Sequence, residues 1–238
     1  MSDVVALPAE VPGTDLRWRR SVRLVPTRFP PVDIFERIAS PADWESLIEL
    51  ESLTNARLLD EVGQLSLVPV ADRVIGPGAS YVMAPFTHLA PEGGRFTTAE
   101  FGGYYTAREL ETAVAETRYH RERFLAATRE APIEIDMRVL EADLDARVAD
   151  LRGLRERHPA LYDPDDYTAS QAFGRALHGS GGDGVAWDSV RREGGQCAVA
   201  YRPRLVQRCR EVRTLTYRWN GERVDHVYEK RPFGGRRK

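Results

Sequence analysis

Lysine is almost missing from this chain of 238 residues: of its 34 basic side chains only Lys230 and Lys238 are lysines, and the rest are arginines. An isolated Arg beside a glycine therefore carries little information here; only its spacing to other groups does. Cysteine is scarce as well. Two thiols, Cys197 and Cys209, in a chain showing no signal peptide argue against a disulfide framework and for a reducing, cytoplasmic setting. No apolar run approaches the length of a membrane span. Neither sign of charge dominates. A net charge of −2 excludes a polyanion binder driven by bulk charge, so no direct contact with nucleic acid is expected. The histidines at 88, 120, 158, 178 and 226 have no metal-ligand spacing with one another or with the cysteines, and no metal is expected.

What is present reads as one domain with appendages. Residues 1–16 are broken by Pro8, Pro12 and Gly13 and show no periodicity, which predicts a loose tail. A short strand is expected at 21–25, halted by Pro26. Ser40 and Pro41 read as the cap and first turn of a helix. A second helical stretch runs to about Leu65, and 41–75 as a whole looks like a helical insert. Ser80-Tyr-Val-Met-Ala, after Gly76-Pro-Gly, reads as an apolar strand. The helix at 108–127 is the clearest element, with Leu110, Ala113, Val114, Thr117, Phe124 and Leu125 at helical spacing. Alternation at 133–139 predicts a half-buried strand. A helix is expected at 167–177, ending at Gly179, and strands at 185–187 and 197–201. After Pro203, alternation on both sides of Asn220-Gly221 predicts a hairpin of 214–219 and 223–228. It is set apart, as a C-terminal unit of 210–238 with a basic tail, from a main domain of 17–209. Strands and helices mix without regular βαβ alternation. The expected fold is α+β, with a split, mainly antiparallel sheet and flanking helices.

The chemistry concentrates in 93–125. Gly93 and Gly94 precede Arg95, whose guanidinium suits phosphate oxygens; read alone, the segment is equally an ordinary turn. Tyr105, in a strand-like Tyr-Tyr-Thr-Ala, offers an aromatic face for a nicotinamide or adenine ring, or simply a core tyrosine, as does Tyr104. Glu116 falls about 120° from the centre of its helix's apolar stripe, beside Thr112 and His120. A carboxylate there borders the core without entering it. It can stabilise positive charge developing at a sugar carbon, or merely pair with His120 in solvent. Ser189, in Trp-Asp-Ser-Val-Arg, follows a strand between Gly-rich turns and offers a hydroxyl to a phosphate or ribose. The Gly-rich run 179–184 lacks the Lys-Ser/Thr of a phosphate loop and reads as a turn. Cys197 reads as a core residue.

Taken together, the order Arg95, Tyr105, Glu116, Ser189 resembles that of the RES-domain proteins. The likeness extends to Arg-Leu-Val-Pro-Thr-Arg-Phe from residue 23, and to the blocks Gly-Gly-Arg-Phe, Tyr-Tyr-Thr-Ala and Glu-Thr-Ala-Val-Ala-Glu, roughly over 17–205. It implies a single domain similar to ADP-ribosyltransferases, and a toxin of a type II toxin–antitoxin pair that consumes NAD as its substrate. By resemblance, Arg95 and Arg23 contact the NAD phosphates, Tyr105 the nicotinamide side, Glu116 the reacting ribose and Ser189 the bound dinucleotide. Glu116, Arg95 and Tyr105 would then be the catalytic set. Arg28 competes with Arg23 as the first site Arg; Arg23 is preferred. The resemblance further implies an Xre-like helix-turn-helix antitoxin as partner, and a homodimer within a larger complex is compatible with it. Three activities share such a cleft: NAD hydrolysis or phosphorolysis, ADP-ribosylation of a protein, and NAD or partner binding without turnover.

Overall fold

One long strand, β3 (Ile133–Asp150), organises the protein. In the computed structural model, which describes residues 10–28, Glu36 and 63–231, β1 (Gly13–Pro26) runs antiparallel along one edge of β3, from Gly13 opposite Ala149 to Pro26 opposite Met137. The other edge of β3 is shared. β6 (Val206–Trp219) takes it from Ile133 to Leu144, and β4 (Gly184–Asp188) takes Ala149 and Asp150 as a parallel partner. The sheet forks there. One arm continues to β7 (Val224–Glu229), the other through β5 (Gln196–Ala200) to β2 (Tyr104–Ala107). A single rung, Val22 opposite Ala107, ties β2 back to β1, so that β1, β2, β5, β4 and β3 close into a ring. The result is an α+β domain with a mainly antiparallel seven-stranded sheet, as the sequence led us to expect.

Both faces of this sheet are covered, and strand alternation sorts residues between them. Tyr104, Ala186, Ala198 and Ala200 face one cluster with Leu140, Leu144 and Met83. Tyr105, Val185, Trp187, Cys197 and Val199 face the other, with Phe96, Phe173 and Tyr217. The first cluster packs under α1 (Ala79–Thr87). The second packs under α2 (Leu110–Ala127) and α3 (Thr168–Gly179), and that second face carries the site. Burial of each large apolar side chain contributes about 1.5–3 kcal/mol, so the two clusters dominate the folding free energy.

Several expectations are corrected. Residues 79–87 form a helix, not a strand. Ala79, Val82, Met83 and Phe86 are buried at helical spacing, a period hidden in the sequence by Pro85. A distant side chain also fixes the start, because Glu36 accepts hydrogen bonds from the backbone N–H (3.1 Å) and hydroxyl (2.6 Å) of Ser80. The loose tail of 1–16 does not extend past Pro12: 13–16 belong to β1, and Leu16 is buried. The boundary at 209/210 falls inside β6, whose pairing with β3 makes the C-terminal hairpin part of the main sheet. β3 itself runs to Asp150 because register shifts after Val139 and Glu141 break the alternation without ending the strand. The C-terminal hairpin forms, but Asn220 pairs with Arg223 (N–H on O at 3.1 Å), so its two turn residues are Gly221, at φ 100°, and Glu222, one position later than the Asn220-Gly221 turn expected. The helix beginning at Pro41, the stretch toward Leu65 up to residue 62 and the basic tail from 232 lie outside the described residues. Residues 65–67 and 70–72, within the expected insert, form short 3-10 turns.

Candidate active site on one sheet face

Tyr105 builds the base of the site. Alternation in β2 turns its ring toward α2, edge-on to Trp187 at 6.0 Å between centroids. Its phenol oxygen accepts the Phe96 N–H at 2.9 Å and lies 3.1 Å from the Thr97 hydroxyl. Those bonds tether the loop that carries Arg95. Gly93 and Gly94 are required here by packing. Gly93 sits at φ 69°, and a Cβ on Gly94 would come within 2.6 Å of the Tyr105 hydroxyl. Burial pushes the Tyr105 phenol up to about 12, so it stays protonated in any physiological setting.

Arg95 is buried, at 6% exposure. Nη1 donates to the carbonyl oxygens of Leu161 (3.2 Å) and Asp163 (2.7 Å), and the guanidinium lies over the Tyr167 ring at 4.5 Å. Nη2 is also buried and has no hydrogen-bond partner among the described residues. A buried guanidinium bonded to neutral carbonyls keeps its positive charge locally uncompensated, and an unpartnered N–H on it favours an anion.

Glu116 and Ser189 meet. The Ser189 hydroxyl donates to Glu116 Oε1 at 2.6 Å while accepting the backbone N–H groups of Arg191 (3.1 Å) and Arg192 (3.0 Å). Ser189 is itself fixed by its N–H on Gly195 O and by Arg155 on its own carbonyl. The Cys197 thiol completes the contact at 3.7 Å from the same carboxylate oxygen, and burial together with the Glu116 charge pushes that thiol well up, away from the nucleophilic thiolate. Glu116 is thus turned toward the sheet by Oε1, and its other oxygen has no hydrogen-bond partner among the described residues.

Arg95, Tyr105, Glu116 and Ser189 therefore share one sheet face, although 94 residues separate the first from the last in the numbering (189 − 95). Arg23 does not join them. Val22 and Leu24 face that side, and Arg23 points to the opposite one, its guanidinium 5.0 Å from the Tyr104 ring centre and its Nη1 on Tyr105 O at 2.9 Å. The physical reason is strand parity: the bulge after Trp18 sets which of 22 to 24 face α2. Arg28 stacks on Phe124 at 5.6 Å, toward the exposed end of α2. Sequence reasoning overlooked three participants: Tyr167 under Arg95, the carbonyls of 161–163, and Arg191. Arg191 stands two residues after Ser189 and had a positional signal, lost among so many arginines.

Among the described residues no group of three or more His, Cys, Asp or Glu side chains is placed to hold a metal ion, and no helix is long and apolar enough to cross a membrane. The fold and site define an α+β domain with a buried Arg and a serine-held Glu on one sheet face. This chain belongs to the RES-domain family, whose match covers residues 70–220. It is 34% identical over 211 residues, spanning 87% of this chain and 85% of the relative, to "Uncharacterized protein y4oC" of Sinorhizobium fredii (strain NBRC 101917 / NGR234). It is also similar to a chain of the M. tuberculosis MbcT–MbcA toxin–antitoxin complex, with 16% identity, a TM-score of 0.47, and coverage of 92% of this chain and 94% of that one.

Proposed function

We propose that this protein is an NAD-consuming toxin of a type II toxin–antitoxin pair, cleaving the bond between nicotinamide and ribose. The observation that carries the reading is the Ser189-held carboxylate of Glu116 on the same sheet face as a buried Arg95 whose Nη2 has no partner among the described residues. Arg95 would hold the dinucleotide phosphates. Glu116 would stand beside the ribose, where its fixed negative charge is stabilising only as positive charge develops. In the reaction the ribose–nitrogen bond breaks and its electron pair passes to the ring nitrogen, so nicotinamide leaves neutral without needing a proton. The sugar carbon becomes oxocarbenium-like. An acceptor oxygen then bonds to that carbon and gives up its proton, yielding ADP-ribose with water or its phosphorylated form with phosphate.

Ser189 acts in this reading as a positioning residue and not as a direct ligand, since its hydroxyl is already committed to Glu116 and two backbone N–H groups. The same cleft would serve a protein ADP-ribosyltransferase if a side chain replaced water. Family membership supports an antitoxin partner of the Xre-like helix-turn-helix class and action in the cytoplasm.

The test is nicotinamide release by purified protein and NAD content of expressing cells. Glu116→Gln preserves shape and the Ser189 hydrogen bond, and should lower turnover roughly a hundred- to thousandfold. Equal nicotinamide release by wild type and variant would reject the mechanism. NAD binding without any release would leave a non-catalytic module, and a labelled protein with little net NAD loss would identify a transferase.

A further inference from the structure

One arginine cluster elsewhere on this protein is built around a carboxylate: Asp143 accepts from Arg19, the Arg20 backbone and Arg208. The pair beside the candidate site is different. Arg95 and Arg191 donate to carbonyls of one loop, Arg95 Nη1 to Leu161 O and Asp163 O and Arg191 Nη2 to the adjacent Pro164 O. Each lies over an aromatic ring: Arg95 over Tyr167, and Arg191 over Tyr119 at 3.3 Å. Each also retains a buried N–H without a partner among the described residues, Nη2 of Arg95 and Nε of Arg191.

Two like charges anchored one residue apart repel, and neutral carbonyls do not cancel that repulsion. The loop acids do not supply the missing charge directly. Asp163 accepts the backbone N–H groups of Asp165 and Asp166, and Asp165 accepts the Tyr119 hydroxyl and lies 3.6 Å from Arg123. Loss of hydration holds the His120 imidazole down to about 4, and the charges of Arg191, Arg121, Arg95 and Arg123 add to it in the same direction.

We infer that Arg191 joins Arg95 in a seat for two linked phosphates, with one free guanidinium N–H for each. The inference rests on the dinucleotide reading above and deepens it. It makes the pyrophosphate, not the nucleoside, the feature by which the site selects its substrate. It also gives Arg191 a second consequence: an anion that takes its N–H groups competes with Pro164 O, coupling ligand binding to the loop of 163–167.

Calorimetric titration of the full chain with ADP-ribose, AMP and inorganic pyrophosphate tests it. Wild type should bind ADP-ribose much more tightly than AMP. Arg191→Gln should weaken ADP-ribose and pyrophosphate roughly ten- to hundredfold, as loss of a charge-assisted bond implies, while changing AMP little. Arg191→Lys, which keeps the charge but not the fork, should fall between, and both variants should retain the wild-type melting cooperativity. Unchanged ADP-ribose and pyrophosphate affinity in Arg191→Gln would overturn the two-phosphate seat even if NAD is still cleaved. Pyrophosphate bound by wild type and lost in Arg191→Gln, with no NAD or ADP-ribose bound at all, would keep the seat and reject the dinucleotide reading. Failure of wild type to bind pyrophosphate would reject the seat.

Discussion

Two arginines, the half-buried Arg23 and the buried Arg95, lie on opposite faces of the same sheet and have similar local environments. Each donates Nη1 to backbone carbonyl oxygen, each stacks over a tyrosine, and each keeps one buried nitrogen without a partner among the described residues. What differs is their company. Arg23 sits among Tyr104, Cys209 and the apolar cluster under α1, and burial there lowers its pKa. Arg95 sits among Arg191, His120 and the Ser189-held Glu116. Burial of a cation is therefore not in itself a sign of a ligand site. The seam explains Arg23 better. β1 and β2 share only the Val22–Ala107 rung, and beside it Arg23 reaches Tyr105 O while the Thr106 hydroxyl donates to Val22 O at 3.0 Å. Arg23 splices two strands that backbone pairing alone barely joins.

Substitution separates the two roles most sharply in turnover. Arg95→Gln should depress NAD cleavage about a hundredfold or more, in the range seen for loss of one charge-stabilising donor, while the protein remains folded. Arg23→Ala should do the reverse. It empties a packed position and leaves Tyr105 O without its donor, for a loss of about 2–4 kcal/mol in chemical denaturation, with turnover per folded molecule intact. If Arg23→Ala abolishes activity without loss of stability, the division between faces is wrong and Arg23 belongs to the site.

Parity is also where the sequence ran out. Arg95, Tyr105, Glu116 and Ser189 each stand beside a local signal too weak to decide alone (a glycine pair, an alternating strand, the border of an apolar helix stripe, a turn after a strand), and it was their order, by its resemblance to one family, that joined them. For Arg23 no local signal exists. Its side is fixed by a bulge between Trp18 and Ser21, with Arg20 at φ 55°, and a bulge shifts every following residue to the other face. The helix at 79–87 was hidden for a similar reason, since its start is capped by Glu36 from 44 residues away. Strands β4 and β5 were readable as short apolar runs, and the end of β6 with β7 by alternation about Asn220-Gly221; residues 206–213 of β6 were not, because register shifts against β3 break their pattern. A split sheet was expected, but the place of the fork was not, because a shared edge of β3 leaves no trace in composition.

A smaller effect tests the positioning role of Ser189. Ser189→Ala removes the donor to Glu116 and the acceptor for two backbone N–H groups, so about 1 kcal/mol of stability should go, as for loss of a cap. Turnover should fall roughly tenfold, with KM for NAD nearly unchanged and partial rescue by Ser189→Thr. A rise in KM with kcat preserved would instead make Ser189 a direct contact to the dinucleotide.

The smallest expected effect is a slope with pH, and it too belongs to the Arg95 face. His120 has an ordinary value of 6.5 and is held to about 4 in the folded protein by loss of hydration and then by the neighbouring arginines; the residue is exposed and its ring meets Tyr119 edge-on at 5.4 Å. Between those values the unfolded chain takes up a proton that the folded chain refuses. Stability is therefore full above about pH 6.5, declines as pH falls toward 4, and stops declining below it. Solvent screening reduces the effect to about 1 kcal/mol, or roughly 2–4 °C in Tm. Melting scans of wild type and His120→Gln at pH 7.5 and 5 should show a shallower slope in the variant. A residue of slope should remain from His178, whose value is lowered by burial and then by Arg202. Pyrophosphate should flatten the wild-type slope further, because an anion between Arg95 and Arg191 offsets the charge that keeps His120 neutral. A slope unaltered by both the substitution and the anion would place the positive field elsewhere, and the contrast between the two arginines would lose its electrostatic half.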